Sequence, residues 1–354
     1  MTQGRTPGPR VLIVDDSAVV RGLLARGLAA HGMEVVGVAA DPYRARDLLL
    51  SQRPQVLTLD LEMPRMNGLT FLERLMAFQP LPVVVLSSLT PQGSAPALRA
   101  MELGAVEVLA KPAHDLAAGP GAEAMARLAA VVRGAAAARV QARWSAGLKL
   151  KLGSKRLGGL ARRVLALAAS TGGTRALAEV LSGLDPQGAA CVMVQHMPPD
   201  FVAGFAQRLD ECSPWTVRVA RDGELLREGE ALLAPGDRHL VLRRAAEGWR
   251  CLLVDSPAVN FVRPSADVLL LSVAREAGKA AVGAVLTGMG RDGAQGLLAM
   301  RQAGARTLVQ DEETSVVFGM PKEAWALGAA ERQVSLDQMA QALRALINQS
   351  PVQV

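Results

Sequence analysis

The sequence predicts an α/β protein made of two doubly wound domains, and three observations carry that prediction. The chain has 354 residues, more than one small core needs and enough for two ordinary domains. Short β-branched runs alternate with amphipathic stretches along most of its length, the pattern of parallel sheets covered by helices. Aromatic residues supply only 3% of the chain while hydrophobic residues supply 50%, so the cores must be filled by Ala, Val and Leu.

Taken in order, Val11-Leu12-Ile13-Val14, Val35-Val36-Gly37-Val38, Val56-Leu57-Thr58-Leu59, Val83-Val84-Val85-Leu86 and Val106-Glu107-Val108-Leu109 read as buried parallel strands. Helix-like segments lie between them, near 18–31, 42–51, 67–78 and 94–103. Five such units give a flavodoxin-like doubly wound sheet of five parallel strands, whose ligands sit at the carboxyl ends of the strands. That rule selects Asp15, Asp16, Asp60, Ser87 and Lys111.

After Pro112 the alternation dissolves into Ala-, Gly- and Arg-rich sequence, with one Ala-rich helix candidate over 121–143 and a basic linker from Trp144 to Gly159. A second alternation begins at Val164. Strands are expected at 163–169, 190–195, 216–220, 231–234, 239–243, 250–254, 281–287 and 305–310. Helices are expected near 174–183, 200–210, 265–277, 292–303, 321–328 and 336–348. The resulting division is a first domain over 1–118, a basic linker over 119–160 and a second α/β domain over 161–354 with a mostly parallel doubly wound sheet. No fixed-period repeat is visible.

The formal charge of +6 invites a nucleic-acid reading, but its location argues otherwise. Between Gly119 and Arg163 ten Lys and Arg face the single acid Glu123, so the rest of the chain is net acidic. With no evident helix-turn-helix and few aromatics for base stacking, no nucleic-acid partner is expected. The basic stretch is instead expected to tune domain contacts or docking to acidic partners. Three scattered cysteines, Cys191, Cys212 and Cys251, suit buried thiols in a reducing compartment. The polar N-terminus lacks a secretory apolar core, and the longest uncharged run, Leu75 to Leu98, is broken by four prolines. A cytoplasmic protein without membrane insertion is the expectation.

Asp15 and Asp16 end the first strand and Asp60 ends the third, and in a doubly wound sheet those ends are neighbours. Carboxylates brought so close repel unless a cation joins them, and hard oxygen ligands suit Mg²⁺. Lys111 adds an ammonium and Ser87 a hydroxyl. The set suits a carboxylate that accepts a phosphoryl group, since metal and lysine neutralise the transferred oxyanions. At this point residues 10 to about 117, with the loop Leu59-Asp60-Leu61-Glu62-Met63-Pro64-Arg65-Met66-Asn67-Gly68, resemble the receiver domains of two-component response regulators. The resemblance implies Asp60 as phosphoacceptor, Asp15, Asp16 and Asp60 with the backbone carbonyl of Glu62 as Mg²⁺ ligands, Ser87 as switch hydroxyl and Lys111 as phosphate partner. The chain departs from many receivers at Val108, where an aromatic switch residue is usual.

In the second domain the strand Val164-Leu165-Ala166-Leu167-Ala168-Ala169 runs into Ser170-Thr171-Gly172-Gly173-Thr174 and then a helix. A serine between strand end and helix N-terminus is well placed as a nucleophile, with free amides nearby for an oxyanion. A Gly-rich turn there equally suits a phosphate site, although no GK[ST] follows. Of four histidines, His31 and His114 read as surface residues, His196 ends the strand Cys191-Val192-Met193-Val194-Gln195, and His239 opens another strand. Strand-end geometry favours His196 as base. Leu286-Thr287-Gly288-Met289-Gly290-Arg291-Asp292-Gly293 supplies a carboxylate after a further strand, although Asp292 taken alone equally suits a helix N-cap.

Ser170, His196 and Asp292 thus follow three strands of one sheet, in an order unlike that of the α/β-hydrolases. With Val194-Gln195-His196-Met197-Pro198, Ala234-Pro235-Gly236-Asp237, Arg263-Pro264-Ser265 and Gly319-Met320-Pro321, nearly the whole chain resembles the chemotaxis protein-glutamate methylesterases of the CheB family. The resemblance implies hydrolysis of glutamyl methyl esters on the cytoplasmic helices of chemoreceptors, and deamidation of certain glutamines, without a cofactor in the esterase site. It implies Ser170 as nucleophile, His196 as base, Asp292 as its anchor, the Met289 amide in the oxyanion hole and Thr171 in support. It further implies phosphorylation by the chemotaxis histidine kinase, which loosens the receiver from the esterase mouth. Two segments depart from the family pattern, Pro199-Asp200-Phe201-Val202 and Asn260-Phe261-Val262, and both are expected to line the substrate groove. The competing class is a response regulator whose output is binding through the basic linker.

Overall fold

The computed structural model of the protein describes residues 8–63, 66–87, 94–111, 120–138, 158–186 and 188–349. The chain divides into two compact units, Met1–Ala146 and Gly147–Val354. Pro64, Arg65, Pro112, His114 and the linker from Trp144 to Leu157 lie outside the described residues.

The first unit is built on β1 (Arg10–Val14), β2 (Glu34–Ala39), β3 (Val56–Asp60), β4 (Val83–Ser87) and β5 (Glu107–Ala110), in the order β2-β1-β3-β4-β5. All four pairings are parallel; β1, β3 and β4 are buried apolar runs as expected, whereas β2, expected to be buried, is an edge strand that is mostly half-buried with Val38 exposed. Helices α1 (Ala18–Ala30), α2 (Pro42–Gln52), α3 (Gly68–Phe78) and α4 (Ser94–Glu102) connect them. Ser17, Asp41 and Asn67 cap the first three by accepting amide hydrogen bonds from the first turn.

One expectation is corrected here. The Ala-rich helix, assigned to the linker on composition, is α5 (Pro120–Ala136) and belongs to the first unit. Met125, Leu128, Ala129 and Val132 are buried along one face, and the Met125 side chain lies where a Cβ on Gly27 of α1 would stand. Arg133 fastens its far end by donating to the His31 carbonyl at 2.5 Å. Two of the ten basic residues, Arg127 and Arg133, therefore sit on a helix of this unit and not on a linker.

The second unit carries seven strands in the order β14-β13-β12-β6-β7-β9-β8. These are β6 (Arg163–Ala169), β7 (Ala189–Gln195), β8 (Thr216–Val219), β9 (Glu230–Leu233), β12 (Ala281–Val285), β13 (Arg306–Gln310) and β14 (Arg332–Val334). Every pairing in this sheet is parallel. The antiparallel element is a separate hairpin of β10 (His239–Ala245) and β11 (Gly248–Val254). Helices α6 (Gly173–Gly183), α7 (Pro199–Cys212), α8 (Ala266–Ala277), α9 (Ala294–Gln302), α10 (Met320–Ala326) and α11 (Leu336–Gln349) complete it. The strand order turns back at β6, with β7 on one side and β12 on the other, so the crevice outside those three carboxyl ends is the topological switch point.

The core is aliphatic, as the composition requires, with Trp215 the one ring among the largest fully buried side chains. All three cysteines are free and buried, and burial raises the thiols of Cys191 and Cys251 above their ordinary range. Among the described residues no helix is long and apolar enough to cross a membrane.

Candidate active site

Ser170 follows β6 and leads into α6. Its amide donates to the Thr287 carbonyl beyond β12 at 3.0 Å, which couples the Ser170 loop to the next strand end. Gly172 has a left-handed φ of 78° and caps α6 without a side chain, so the turn needs a residue free of Cβ strain. Gly288 is required for a different reason: a Cβ there would stand 2.8 Å from Ser170 Cβ.

His196 follows β7, which pairs with β6 in the register Ala169↔Gln195, and the His196 amide donates to the Ala169 carbonyl at 3.1 Å. His196 is thereby set level with Ser170, each one residue beyond the paired ends of the two strands. Its Nε2 lies 2.9 Å from Asp292 Oδ2. An ionised carboxylate accepts only, so Nε2 carries the hydrogen and Nδ1 keeps the lone pair. Among the described residues neither Ser170 Oγ nor His196 Nδ1 has a hydrogen-bond partner.

Asp292 does not cap α9, whose N-cap is Gly293. It points instead at the N-terminus of α8, taking amide hydrogen bonds from Ala266 at 2.6 Å and Asp267 at 3.2 Å. Ser265 Oγ donates to it at 2.7 Å and Asn260 Nδ2 at 3.0 Å. Burial alone would raise this carboxyl; the hydrogen bond and charge of His196, with Ser265 and Asn260, outweigh it and hold the group at about 2. The helix dipole acts in the same direction.

His239, the alternative base, is buried and structural. Its Nδ1 accepts the Ser265 amide and its Nε2 donates to the Pro257 carbonyl, both at 3.1 Å, so it holds the loop that carries Ser265 beneath Asp292. Thr171 is buried, and its carbonyl accepts from Thr287 Oγ1 at 2.9 Å. Met289 is 37% exposed at the crevice. Among the described residues no acceptor takes its backbone N–H, nor that of Thr171, as an oxyanion site requires.

The structure also shows participants that the sequence reading left without a role. Gln195 is buried at the end of β7, and its Nε2 donates to the carbonyls of Ser170 at 2.8 Å and His196 at 3.1 Å, tying the two loops together. Asn260 bridges Asp292 and the buried Asp267, whose carboxyl is raised by burial. A glutamine or asparagine among apolar neighbours was the available signal, since a buried amide must find partners.

Of the two segments that depart from the family pattern, the first is divided, with Pro199 and Asp200 exposed and the next two residues buried. Pro199 opens α7, and Phe201 and Val202 turn inward to pack it on the sheet. In the second, Phe261 is fully exposed.

In the first unit the sheet gathers its acids as expected. Ligand atoms of Asp15, Asp16 and Asp60 lie within 4.8 Å of one another. Asp15 and Asp60 are buried, and Lys111 Nζ lies 3.1 Å from Asp15 Oδ2 and 2.7 Å from Asp60 Oδ2. Apart from that ammonium the two oxygens have no partner among the described residues, so two buried anions share one cation. Burial pushes Asp60 above the ordinary carboxylate range, against the lowering by Lys111 and by the Glu62 amide, which donates to Asp60 Oδ1 at 3.1 Å. Such a donor set fits a divalent metal ion. Ser87 is buried at the end of β4, with its carbonyl accepting the Lys111 amide at 3.0 Å, and Val108 is buried within β5.

Residues 165–343 match the family described as CheB methylesterase, and residues 11–117 match the response regulator receiver domain. The chain is 50% identical over 335 residues to protein-glutamate methylesterase/protein-glutamine glutaminase 4 of Anaeromyxobacter dehalogenans, covering 94% of this chain and 93% of that one. It is 48% identical over 341 residues to a protein-glutamate methylesterase/protein-glutamine glutaminase of Pectobacterium atrosepticum, covering 96% and 97%. The crystal structure of the Thermotoga maritima CheB methylesterase catalytic domain is similar with a TM-score of 0.51 at 36% identity, over 53% of this chain and all of that one. With this likeness spanning almost its full length, and with a serine, a histidine and an aspartate at the switch point of the matched sheet, the chain belongs to the CheB methylesterase family and carries a receiver domain ahead of the catalytic one.

Proposed function

We propose that the chain is a phosphorylation-regulated hydrolase that removes methyl esters from glutamate side chains of chemotaxis receptors and converts certain receptor glutamines to glutamate. The observation that carries this reading is the His196–Asp292 hydrogen bond of 2.9 Å, set beside Ser170 by the β6–β7 register.

Ser170 Oγ attacks the ester carbonyl carbon while its proton passes to His196 Nδ1. The carbonyl electron pair moves onto oxygen, where the amides of Met289 and Thr171 receive it. The intermediate collapses, the carbon–oxygen bond to the methoxy group breaks, and His196 returns the proton so that methanol leaves. Water then attacks the acyl-serine with His196 again as base, freeing the glutamate. With glutamine the leaving group is ammonia. Asp292, held ionised at about 2, stabilises the imidazolium formed in each half-reaction.

In the receiver, Asp60 accepts the phosphoryl group from a histidine kinase of the receptor assembly. Asp15, Asp16 and Asp60, with the Glu62 carbonyl, would hold Mg²⁺, which when bound neutralises phosphoryl oxygens. Lys111 supplies the second positive charge, and Ser87 senses the phosphorylated state. The receiver in this reading runs through α5, followed by a basic connection of residues 139–157 and the hydrolase from residue 158.

The test is methanol release from methylated receptors, with and without phosphoryl donor. The wild-type chain is expected to release methanol and to be accelerated by the donor. Ser170→Ala is expected to release none while remaining folded, and Asp60→Asn to lose only the acceleration. Full turnover by the Ser170 variant would overturn the reading.

A further inference from the structure

The segment Val259 to Val262 is a two-residue turn. The amides of Val259 and Val262 donate to each other's carbonyls at 3.1 and 3.0 Å, and Asn260 and Phe261 between them are both left-handed, with φ of 53° and 63°. That dihedral pair belongs to a type I′ turn, which favours Asn first and Gly second. Asn260 is accounted for, since its side chain bonds Asp267 and Asp292. Phe261 is not. It places a bulky residue where the backbone is strained by any Cβ, and its ring is 102% exposed, so it contributes nothing to the core. The strain is retained one residue from the amide that holds the carboxylate of the triad. Met289, in the loop beyond β12, is also partly exposed.

We propose that Phe261 is a specificity-determining residue, an apolar contact that a helix of the protein substrate covers while its modified glutamate is at Ser170. This rests on the hydrolase reading above and adds to it the chemistry of the docked surface. A glutamyl methyl ester is uncharged, whereas the product is a carboxylate, so an exposed apolar ring on the turn whose Asn260 bonds Asp292 favours the ester over the product. The partner is accordingly a helix that presents aliphatic side chains beside the ester.

The experiment uses the full chain with Phe261→Gly, Phe261→Asn and Phe261→Tyr, and reads KM and kcat for methanol release from methylated receptor, together with the thermal midpoint. Gly and Asn suit the left-handed turn, so both variants are expected to fold, with the Gly midpoint equal to or above wild type. Their KM is expected to rise about tenfold with kcat unchanged, while Phe261→Tyr keeps the wild-type KM. An unchanged KM in the Gly variant would overturn the proposal, as would a fall in kcat at constant KM, which would mean that the turn acts through the triad. Absence of methanol release by the wild-type chain would instead remove the hydrolase reading, and this proposal with it, before any variant is compared.

Discussion

Replacing Asp292 by Asn separates two roles of the carboxylate, its charge and its control of the imidazole tautomer. Five donors surround the group, and an amide offers them a single acceptor oxygen. On the Oδ2 side stand the Ala266 amide at 2.6 Å and His196 Nε2 at 2.9 Å; on the Oδ1 side stand Ser265 Oγ at 2.7 Å, Asn260 Nδ2 at 3.0 Å and the Asp267 amide at 3.2 Å. A backbone N–H cannot turn away, but a serine hydroxyl can rotate to accept, and Asn260 Nδ2 keeps its hydrogen bond to Asp267 Oδ2 at 2.9 Å. The new NH₂ group is therefore expected at the Oδ1 position, where the fixed donor is also the more distant. The oxygen stays on Ala266 and His196, the Nε2–H tautomer survives, and what is lost is the negative charge. By reciprocity the carboxylate stabilises the imidazolium as the imidazolium stabilises the carboxylate. A carboxyl held at about 2 instead of 3.8, against the opposing effect of burial, implies roughly 2–3 kcal/mol from these partners. The kcat for methanol release is then expected to fall about a hundredfold with KM unchanged. A loss of about 10⁴-fold, the scale of a reversed tautomer, would refute the retained orientation, and an unchanged kcat would refute the role of Asp292 itself. Nitrogen NMR of the His196 ring reads the tautomer directly.

Gln195→Met removes the only described donor to the His196 carbonyl, whereas the Ser170 carbonyl keeps the Gly173 amide at 2.7 Å; urea unfolding is expected to show a loss of about 1–3 kcal/mol. Gln195→Glu would aim a buried carboxyl at two carbonyl oxygens, so its folded pKa is raised. The stability of that variant relative to wild type is then greatest below the ordinary glutamate pKa of about 4.3 and declines as pH rises, and a pH-independent difference would contradict this. Asp292 has the opposite sign: with its folded value depressed to about 2, it contributes roughly 2 kcal/mol above the unfolded 3.8 that is lost as pH falls through 2, and Asp292→Asn should flatten that slope of unfolding free energy between pH 5 and 2. In the receiver, Asp60 is raised by burial and its ionised form is costly at neutral pH, so Asp60→Asn should raise the thermal midpoint of the first unit without added metal. Millimolar Mg²⁺ should then raise the wild-type midpoint and leave the variant unmoved; equal shifts in both would count against Asp60 as a ligand.

Much of the fold was legible because parallel strands buried on both faces are near-continuous apolar runs that composition alone reveals. The strand β14 was not, since it is three residues long, mostly exposed and without a β-branched run. The Ala-rich helix α5 was visible as a helix but misplaced as linker: its buried Met125, Leu128 and Val132 recur at helical spacing, a signal outweighed in the reading by the surrounding Arg and Gly. Site residues at strand ends were legible because the doubly wound topology fixes where strand ends meet. Asn260 and Ser265 lie in the loop before α8, where no topological rule places a side chain, and Gln195 points its amide along a direction that only the β6–β7 register defines. The inward packing of Phe201 and Val202 is likewise a matter of helix phase, which Pro199 at the first position of α7 sets.

Each sheet has an aspartate on its carboxyl side, Asp60 as the last residue of β3 and Asp292 in the loop between β12 and α9, and the two are treated in opposite ways. Asp292 has five donors, among them two amides of a helix N-terminus, and is thereby held as an anion. Asp60 is as deeply buried, yet it receives one backbone amide and shares the Lys111 ammonium with Asp15, so its charge is left under-compensated. Under the proposed function, a carboxylate that holds an imidazole in place should be satisfied by its own chain, and one that becomes an acyl phosphate should be satisfied only when a cation and a phosphoryl group arrive. The opposite directions of the two pKa shifts follow from that difference in donors and not from burial, which acts on both alike.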